Sequence, residues 1–210
     1  MKTLQLNSIT NFKFQTMKTM KTMKTMKRCS MYALLAIAMI GCSDDDAAPL
    51  PVNEEEVITT VILTLTPDSG EEVVLTAIDL DGDGGDDIEY EIIGDFSPNT
   101  QYLGAVQFLN ETDPTSIEDI TEEVLEEAEE HQVFYTTAGG LNIQTSYLDF
   151  DDNDNPLGLQ ITLTTGAASD GLLTVTLIHE PTKSAEGVSD GDITNAGGEI
   201  DIIADFDVSF

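Results

Sequence analysis

Basic side chains are almost absent from this chain after its first 28 residues. Seven of the eight Lys and Arg residues lie at or before Arg28, and the eighth is Lys183. All 40 Asp and Glu residues come later, so the chain from Cys42 onward carries a formal charge of −39 with histidine neutral. Such a chain cannot neutralise phosphates and would be repelled by anionic headgroups. Nucleic acids and anionic lipid surfaces are therefore excluded as partners.

Cysteine and long apolar runs are equally scarce. The two cysteines are Cys29 and Cys42, so no disulfide can form within the chain beyond Cys42, and stability there must come from apolar burial. The most apolar segment, Met31–Ile40, offers about ten apolar positions, whereas a membrane-spanning helix needs about 20. This segment is therefore too short to be a transmembrane anchor.

The amino-terminal segment has the layout of an export signal. Basic residues precede the apolar run Leu34–Ile40, and the chain turns acidic immediately after Cys42. We therefore predict a signal peptide over residues 1–41, with the true start at one of the methionines from Met17 to Met26. The run ends in Ile-Gly-Cys and resembles a bacterial lipobox, which implies cleavage before Cys42 and lipid attachment to its thiol.

Residues 42–56 are rich in Asp, Glu, Pro and Ala, a composition that predicts a flexible, charged tether. The run Asp44-Asp45-Asp46 resembles the export cue of Gram-negative surface lipoproteins, and a solvated linker is the alternative. The predicted location is the outer membrane, facing the cell surface or the periplasm.

Residues 57–210 are dominated by strand patterns. Thr and β-branched residues recur with period 2 in nine segments bounded by Gly, Asp or Asn: 57–66, 72–79, 88–93, 101–109, 132–137, 141–150, 158–165, 172–180 and 199–209. One helix interrupts them, with Asp113 as its cap, Pro114 in first position and an apolar stripe through Glu130. We predict a mainly β fold, an antiparallel immunoglobulin-like β-sandwich of about nine strands with one inserted amphipathic helix.

Two resemblances to known families accompany this pattern. Phe96-Ser-Pro-Asn-Thr-Gln-Tyr102 resembles the Pro-x-Thr-x-Tyr pattern of fibronectin type III domains, which implies that Tyr102 hydrogen-bonds back to the main chain. Four segments resemble small acidic bacterial lipoproteins often labelled "type 1 periplasmic binding fold superfamily": 53–61, 81–85, 130–136 and 191–201. That label implies a solute-binding protein with alternating βα units in two lobes.

The loop from Asp79 to Asp87 resembles a calcium loop. Asp79, Asp81 and Asp83 alternate before a glycine, and Asp87 falls at the ninth position. Hard cations need several oxygens on such a tight turn. The twelfth position holds Tyr90 instead of a bidentate Glu, and the flanks are strands, which excludes an EF-hand. Weak calcium binding and a simple hairpin turn both remain open.

A second candidate site combines carboxylates with the two histidines. Glu123, Glu127 and His131 are spaced i, i+4, i+8 and would share a face if the helix ran that far. His179 ends a strand, in phase with apolar residues, and could approach this face. Such a set is typical of transition-metal sites. The alternative is a solvated acidic face with two ordinary histidines.

These observations leave two functions open. One is a lipid-anchored, non-catalytic binding or accessory module at the outer membrane or cell surface, with an outer-membrane protein as partner. The other is a metal-handling (calcium or zinc/copper) or solute-binding lipoprotein that feeds an uptake system. Calcium is the one cofactor indicated. The sequence does not indicate an enzyme. Gly187-Val-Ser-Asp-Gly191 matches the Gly-x-Ser-x-Gly pattern of a nucleophile elbow, but no histidine follows it in the chain, as that type of catalytic triad requires.

Lipidation predicts a specific effect of one substitution. Changing Cys42→Ser removes the thiol that would carry the lipid, so the protein should move to the soluble fraction or remain unprocessed, as judged by membrane fractionation and mass. Cys29→Ser is the matched control and should leave processing and membrane association unchanged. Normal cleavage and membrane association of the Cys42→Ser protein would contradict the lipoprotein prediction.

Overall fold

The strand-rich part of the chain folds as two antiparallel sheets. The computed structural model describes residues 57–80 and 88–210, which lie within one compact unit. The predicted signal peptide, Cys42, the tether 42–56 and three predicted calcium ligands (Asp81, Asp83 and Asp87) lie outside the described residues. None of the helices among the described residues is long and apolar enough to cross a membrane.

Within residues 57–80 and 88–210, ten strands make up the two sheets, and all nine predicted strands are among them. Their bounds are β1 Thr60–Pro67, β2 Val73–Ile78, β3 Glu89–Ile93, β4 Gln101–Asn110, β5 Glu118–Asp119, β6 His131–Ala138, β7 Ile143–Tyr147, β8 Gln160–Thr165, β9 Asp170–His179 and β10 Glu199–Ser209. The larger sheet has the order β3-β2-β1-β4-β8-β7, with β5 paired to β4, and the smaller sheet has the order β10-β9-β6. The two-lobed βα fold implied by the family label is therefore wrong, and the mainly β sandwich is confirmed.

The period-2 pattern places one face of each sheet in a common core. Val61, Leu63 and Leu65 of β1 are fully buried, as are alternate residues of β9, and one apolar cluster contains residues of both sheets. Each fully buried side chain of this size contributes about 1.5–3 kcal/mol to stability. This shared core is the reason the two sheets stack face to face.

The smaller sheet is also covered on its outer side. Phe134 of β6 and Ile178 of β9 pack against Val188 and Ala196, which belong to the connection between β9 and β10. That connection contains two short 3-10 turns, Val188–Asp190 and Ile193–Asn195. The second half of β9 and the first half of β6 are thus buried on both faces.

The helix is shorter than the sequence predicted. It spans Ile120–Glu126, and Asp119 caps it by accepting a hydrogen bond from the Thr121 N–H. The predicted start at Asp113 is wrong, because the Asp113 side chain instead accepts from the Thr115 N–H in a tight turn. The helix begins instead at the capping signal formed by Asp119 and, three residues later, Glu122. The helix is held to β4 by the Thr121 hydroxyl, which accepts from the Phe108 N–H at 2.9 Å.

The expected tyrosine corner is present. Tyr102 is 1% exposed, and its hydroxyl oxygen accepts a hydrogen bond from the Ser97 N–H at 2.8 Å. This bond lets a large aromatic side chain be buried without leaving its polar end unsatisfied. It also fixes the turn that leads into β4.

Lys183 is buried, and its ammonium group bonds to three acceptors elsewhere in the chain. Its Nζ donates to the Ala128 carbonyl at 2.6 Å, to Asp151 Oδ2 at 3.0 Å and to the Pro156 carbonyl at 3.1 Å. These contacts match the three donors of an ammonium group. Burial lowers the pKa of Lys183, although the adjacent Asp151 carboxylate opposes that shift. Burial likewise works to raise the pKa of Asp151, but hydrogen bonds from Asn155 and Lys183 outweigh it and hold that pKa below its usual value.

Removing the Lys183 ammonium should therefore destabilise the fold strongly. In the Lys183→Met variant the Asp151 carboxylate stays buried without its counter-charge, and we expect a loss of about 3–5 kcal/mol in the free energy of unfolding, measured by urea denaturation at pH 7. Asp152→Asn is the matched control, because Asp152 lies in the same turn and is exposed; it should change stability by less than about 0.5 kcal/mol. A loss below about 1 kcal/mol in Lys183→Met would contradict this role.

Candidate metal centre

The two histidines meet at one end of the smaller sheet. His131 is the first residue of β6 and His179 is the last residue of β9, and the antiparallel register places them directly opposite each other. Both continue the inward-facing rows of their strands, which place Val133 and Leu177 in the core. His131 is fully buried and His179 is 5% exposed. The predicted approach of the two histidines is therefore present, although the route is a strand pair and not a helix face.

The two rings are in contact, and one of them also contacts a main-chain carbonyl. Their centroids are 4.6 Å apart with an angle of 42° between the planes. His131 Nδ1 lies 3.2 Å from the Glu127 carbonyl oxygen. A carbonyl can only accept, so Nδ1 is the donor in this contact. A main-chain carbonyl that holds the other ring nitrogen in this way is typical of histidines that bind metals.

A β-bulge brings a third side chain to the histidines. The register between β10 and β9 shifts between Ile200 and Ile202, which leaves Asp201 as the extra residue. Strict alternation from Val208 through Phe206 and Ala204 would turn residue 200 inward and residue 201 outward. Instead the Asp201 side chain is 4% exposed and Ile200 is 57% exposed.

Gly198 allows this close approach of β10 to β9. Its φ is +74°, and a Cβ there would collide with the carbonyl oxygen of His179. A side chain at this position would therefore push the entry to β10 away from β9. The glycine and the bulge together place Asp201 beside His179.

These three residues form a compact set of potential ligands. One ligand atom each from His131, His179 and Asp201 can be chosen so that all lie within 4.8 Å of one another. His179 Nδ1 is 4.0 Å from Asp201 Oδ1. Donor atoms around a tetrahedral ion with bonds of about 2.0–2.2 Å lie about 3.4 Å apart, so the side chains need to close by about 1 Å to bind one.

A second set of potential ligands shares His179. Its other nitrogen, Nε2, lies 3.8 Å from Glu130 Oε2, and the Glu130 side chain is 54% exposed. Glu180 completes this set, again with ligand atoms within 4.8 Å of one another. His179 therefore belongs both to the set with His131 and Asp201 and to the set with two exposed glutamates.

The donor types limit which ions these sets can hold. Two imidazoles and one carboxylate suit zinc, copper, nickel and iron, whereas calcium and magnesium prefer sites made of oxygen atoms alone. The buried set therefore has the donor types of a transition-metal site rather than those of a calcium site. Its three protein ligands would leave a further coordination position for another side chain or for water.

The predicted carboxylate partners of the histidines are placed differently. The helix ends at Glu126, so Glu123, Glu127 and His131 do not lie on one helix face. Glu127 contacts His131 through its main-chain carbonyl. Glu123 is exposed and lines a shallow acidic cleft beside the helix. Neither glutamate belongs to the two ligand sets above.

Of the four predicted calcium ligands, only Asp79 lies among the described residues. Asp79 is 6% exposed, and its N–H donates to the Thr59 carbonyl at 2.7 Å. The other three proposed ligands lie outside the described residues, so calcium binding there stays a prediction.

The Gly-x-Ser-x-Gly segment does not form a nucleophile elbow. Ser189 is exposed and lies in the 3-10 turn Val188–Asp190, between glycines 187 and 191, which both have positive φ. A nucleophile elbow requires a strand before the serine and a helix after it. The segment therefore serves as a turn in the connection that covers the smaller sheet.

Comparison of the chain with protein-family models, with curated proteins and with solved structures gives no match.

Proposed function

We propose that this protein is a lipid-anchored, non-catalytic metal-binding module of the outer membrane or cell surface. It binds one divalent transition-metal ion through His131, His179 and Asp201. The observation that carries this proposal is the convergence of these three side chains, from three different strands, at one buried point. The contact of His131 Nδ1 with the Glu127 carbonyl makes Nε2 the nitrogen that would bind the ion.

The free-energy cost of burying two imidazoles and a carboxylate favours a ligand-binding role for these side chains over a purely structural one. His131 and His179 occupy the ends of inward-facing rows whose other members are apolar, such as Val133 and Leu177. Aliphatic side chains at both positions would extend the core without the cost of burying imidazoles and a carboxylate. A bound cation offsets that cost by supplying a charge that all three side chains can coordinate.

The surroundings of the site also favour a cation. Lys183, the only Lys or Arg after Arg28, is buried and bonded to Asp151, so it does not compete for the exposed carboxylates. A surface lined by one sign of charge raises the local concentration of ions of the opposite sign. The predicted lipid on Cys42 would hold this domain at the cell envelope, where it could present the ion to an outer-membrane protein of an uptake system.

The metal site predicts ion-specific stabilisation. In buffer with excess Mg²⁺, which saturates nonspecific carboxylates, Zn²⁺ should raise the thermal midpoint of the full-length protein. An ion at 100 times its dissociation constant adds about 2.7 kcal/mol to the free energy of unfolding if it binds only the folded state. The variants His131→Gln and Asp201→Asn should lose this increase.

Asp207→Asn is the matched control, because Asp207 lies on the same strand and is exposed on the opposite face. It should keep the full zinc effect. The histidine pair is structural if Zn²⁺ does not raise the thermal midpoint of wild type beyond the Mg²⁺ background. The same conclusion follows if Zn²⁺ raises the midpoint of Asp201→Asn as much as that of wild type. The module then acts through protein contacts alone.

A further inference from the structure

The smaller sheet covers only part of the inner face of the larger one. Six strands lie side by side in the larger sheet, whereas the smaller sheet has three, and β10 forms one of its edges. β10 packs against β2, which is the second strand from the edge of the larger sheet. The outermost strand on that side, β3, therefore extends beyond β10.

Two apolar side chains of β3 lie on the uncovered part of this inner face. In the register of β2 and β3, Tyr90 lies opposite Ala77 and Ile92 lies opposite Leu75, and both β2 residues are buried in the core. Side chains directly opposite on paired strands point to the same side of a sheet, so Tyr90 and Ile92 also point inward. They are nevertheless 45% and 38% exposed. Tyr90 contacts Phe206 of β10 edge to face, with ring centroids 5.7 Å apart, so the smaller sheet ends beside Tyr90.

β10 presents a long free edge at this place. It spans Glu199–Ser209 and pairs with β9 on one side, and no other strand in the described part of the chain pairs with its second side. The outer edge of β6, by contrast, is occupied at Val133, whose N–H donates to the Leu157 carbonyl at 2.7 Å and whose carbonyl accepts from the Tyr147 hydroxyl at 2.9 Å. An unpaired strand edge is a template for another strand. Because neighbouring strands are about 4.8 Å apart, a strand added to β10 would lie over the inner face of β3.

The charge of β10 determines which strand its edge favours. The strand has no basic residue and four acidic ones, which are Glu199, Asp201, Asp205 and Asp207. Like charges opposite each other on paired strands are destabilising. A second copy of β10 is therefore disfavoured, and so are the acidic segments 42–56 and 81–87 of this chain. A strand that carries Lys or Arg beside the exposed Asp205 and Asp207 is favoured.

We propose that the free edge of β10 is a docking site for an extended segment of a partner protein, in which apolar residues alternate with Lys or Arg. The segment adds a fourth strand to the smaller sheet through main-chain hydrogen bonds to β10. Its apolar side chains cover Tyr90 and Ile92, and its basic side chains lie beside Asp205 and Asp207. This docking requires no metal ion, so the inference goes beyond the proposed function and does not depend on it.

A synthetic peptide tests this docking edge. The probe is a peptide as long as β10 that alternates Val with Lys, carries a fluorophore and is titrated into the full-length protein at about 0.15 M salt, where weak surface attraction is screened. One control peptide has the same composition with all Lys in one block, and the other has Glu in place of Lys. Both controls should bind about tenfold more weakly or not at all, because neither combines the strand pattern with complementary charge.

Hydrogen exchange measured by mass spectrometry locates the bound peptide. Main-chain amides of β10 that face its free edge should exchange more slowly once they donate to the peptide. The described part of β6, whose outer edge is already bonded at Val133, should change little.

Two neighbouring isoleucines of β3 provide a matched pair of variants. Ile92→Asn removes an apolar side chain from the uncovered inner face and should weaken binding of the alternating peptide about fivefold or more. Ile93→Asn makes the same chemical change on the opposite face, where Ile93 is 57% exposed, and should leave the affinity within about twofold of wild type. The thermal midpoints of both variants without peptide check that they fold.

The outcomes decide between docking and its alternatives. Binding of the alternating peptide alone, slower exchange in β10 and weaker binding by Ile92→Asn than by Ile93→Asn would support the docking edge. The inference is wrong if the alternating peptide does not bind, if either control peptide binds as tightly, if the protection lies outside β10, or if the two variants bind equally well. It is also wrong if β10 already exchanges slowly along its free edge in the protein alone, because a second copy or another segment of this chain would then occupy that edge.

Discussion

Like-charge repulsion is the constraint that the rest of this structure has to satisfy. From Cys42 onward the chain has 40 acidic residues and one basic residue, so ion-pair networks cannot stabilise it. The fold relies instead on apolar burial in a core shared by two sheets and on a second apolar layer outside the smaller sheet. Repulsion between carboxylates on the surface works against this compact state and is reduced by dissolved cations.

The single cation is placed where it affects the candidate site. Lys183 donates to the Ala128 carbonyl, in the short turn that joins the helix to β6. The neighbouring residue, Glu127, supplies the carbonyl that contacts Nδ1 of His131. One ammonium group therefore orders the turn that positions the first histidine, and its contact with Asp151 anchors that turn to another part of the chain. Stability and site geometry depend on the same side chain.

Most of the fold could be predicted from the sequence because strands on a half-buried sheet leave a period-2 pattern, and Tyr102 carries a local motif. The start of the helix could not be predicted, since Asp113-Pro114 forms a turn as readily as it begins a helix. The histidine pair was predicted from the phase of His179. Asp201 was not, because a bulge reverses the facing of a residue, and the period-2 pattern places Ile200 inward at that point.

The outer covering of the smaller sheet has a consequence for how the site responds to fluctuations. The parts of β6 and β9 that lead to the histidines are buried on both faces, and such strands open to solvent only when much of the domain unfolds. An ion bound by His131, His179 and Asp201 would therefore exchange with solvent only as often as the domain opens.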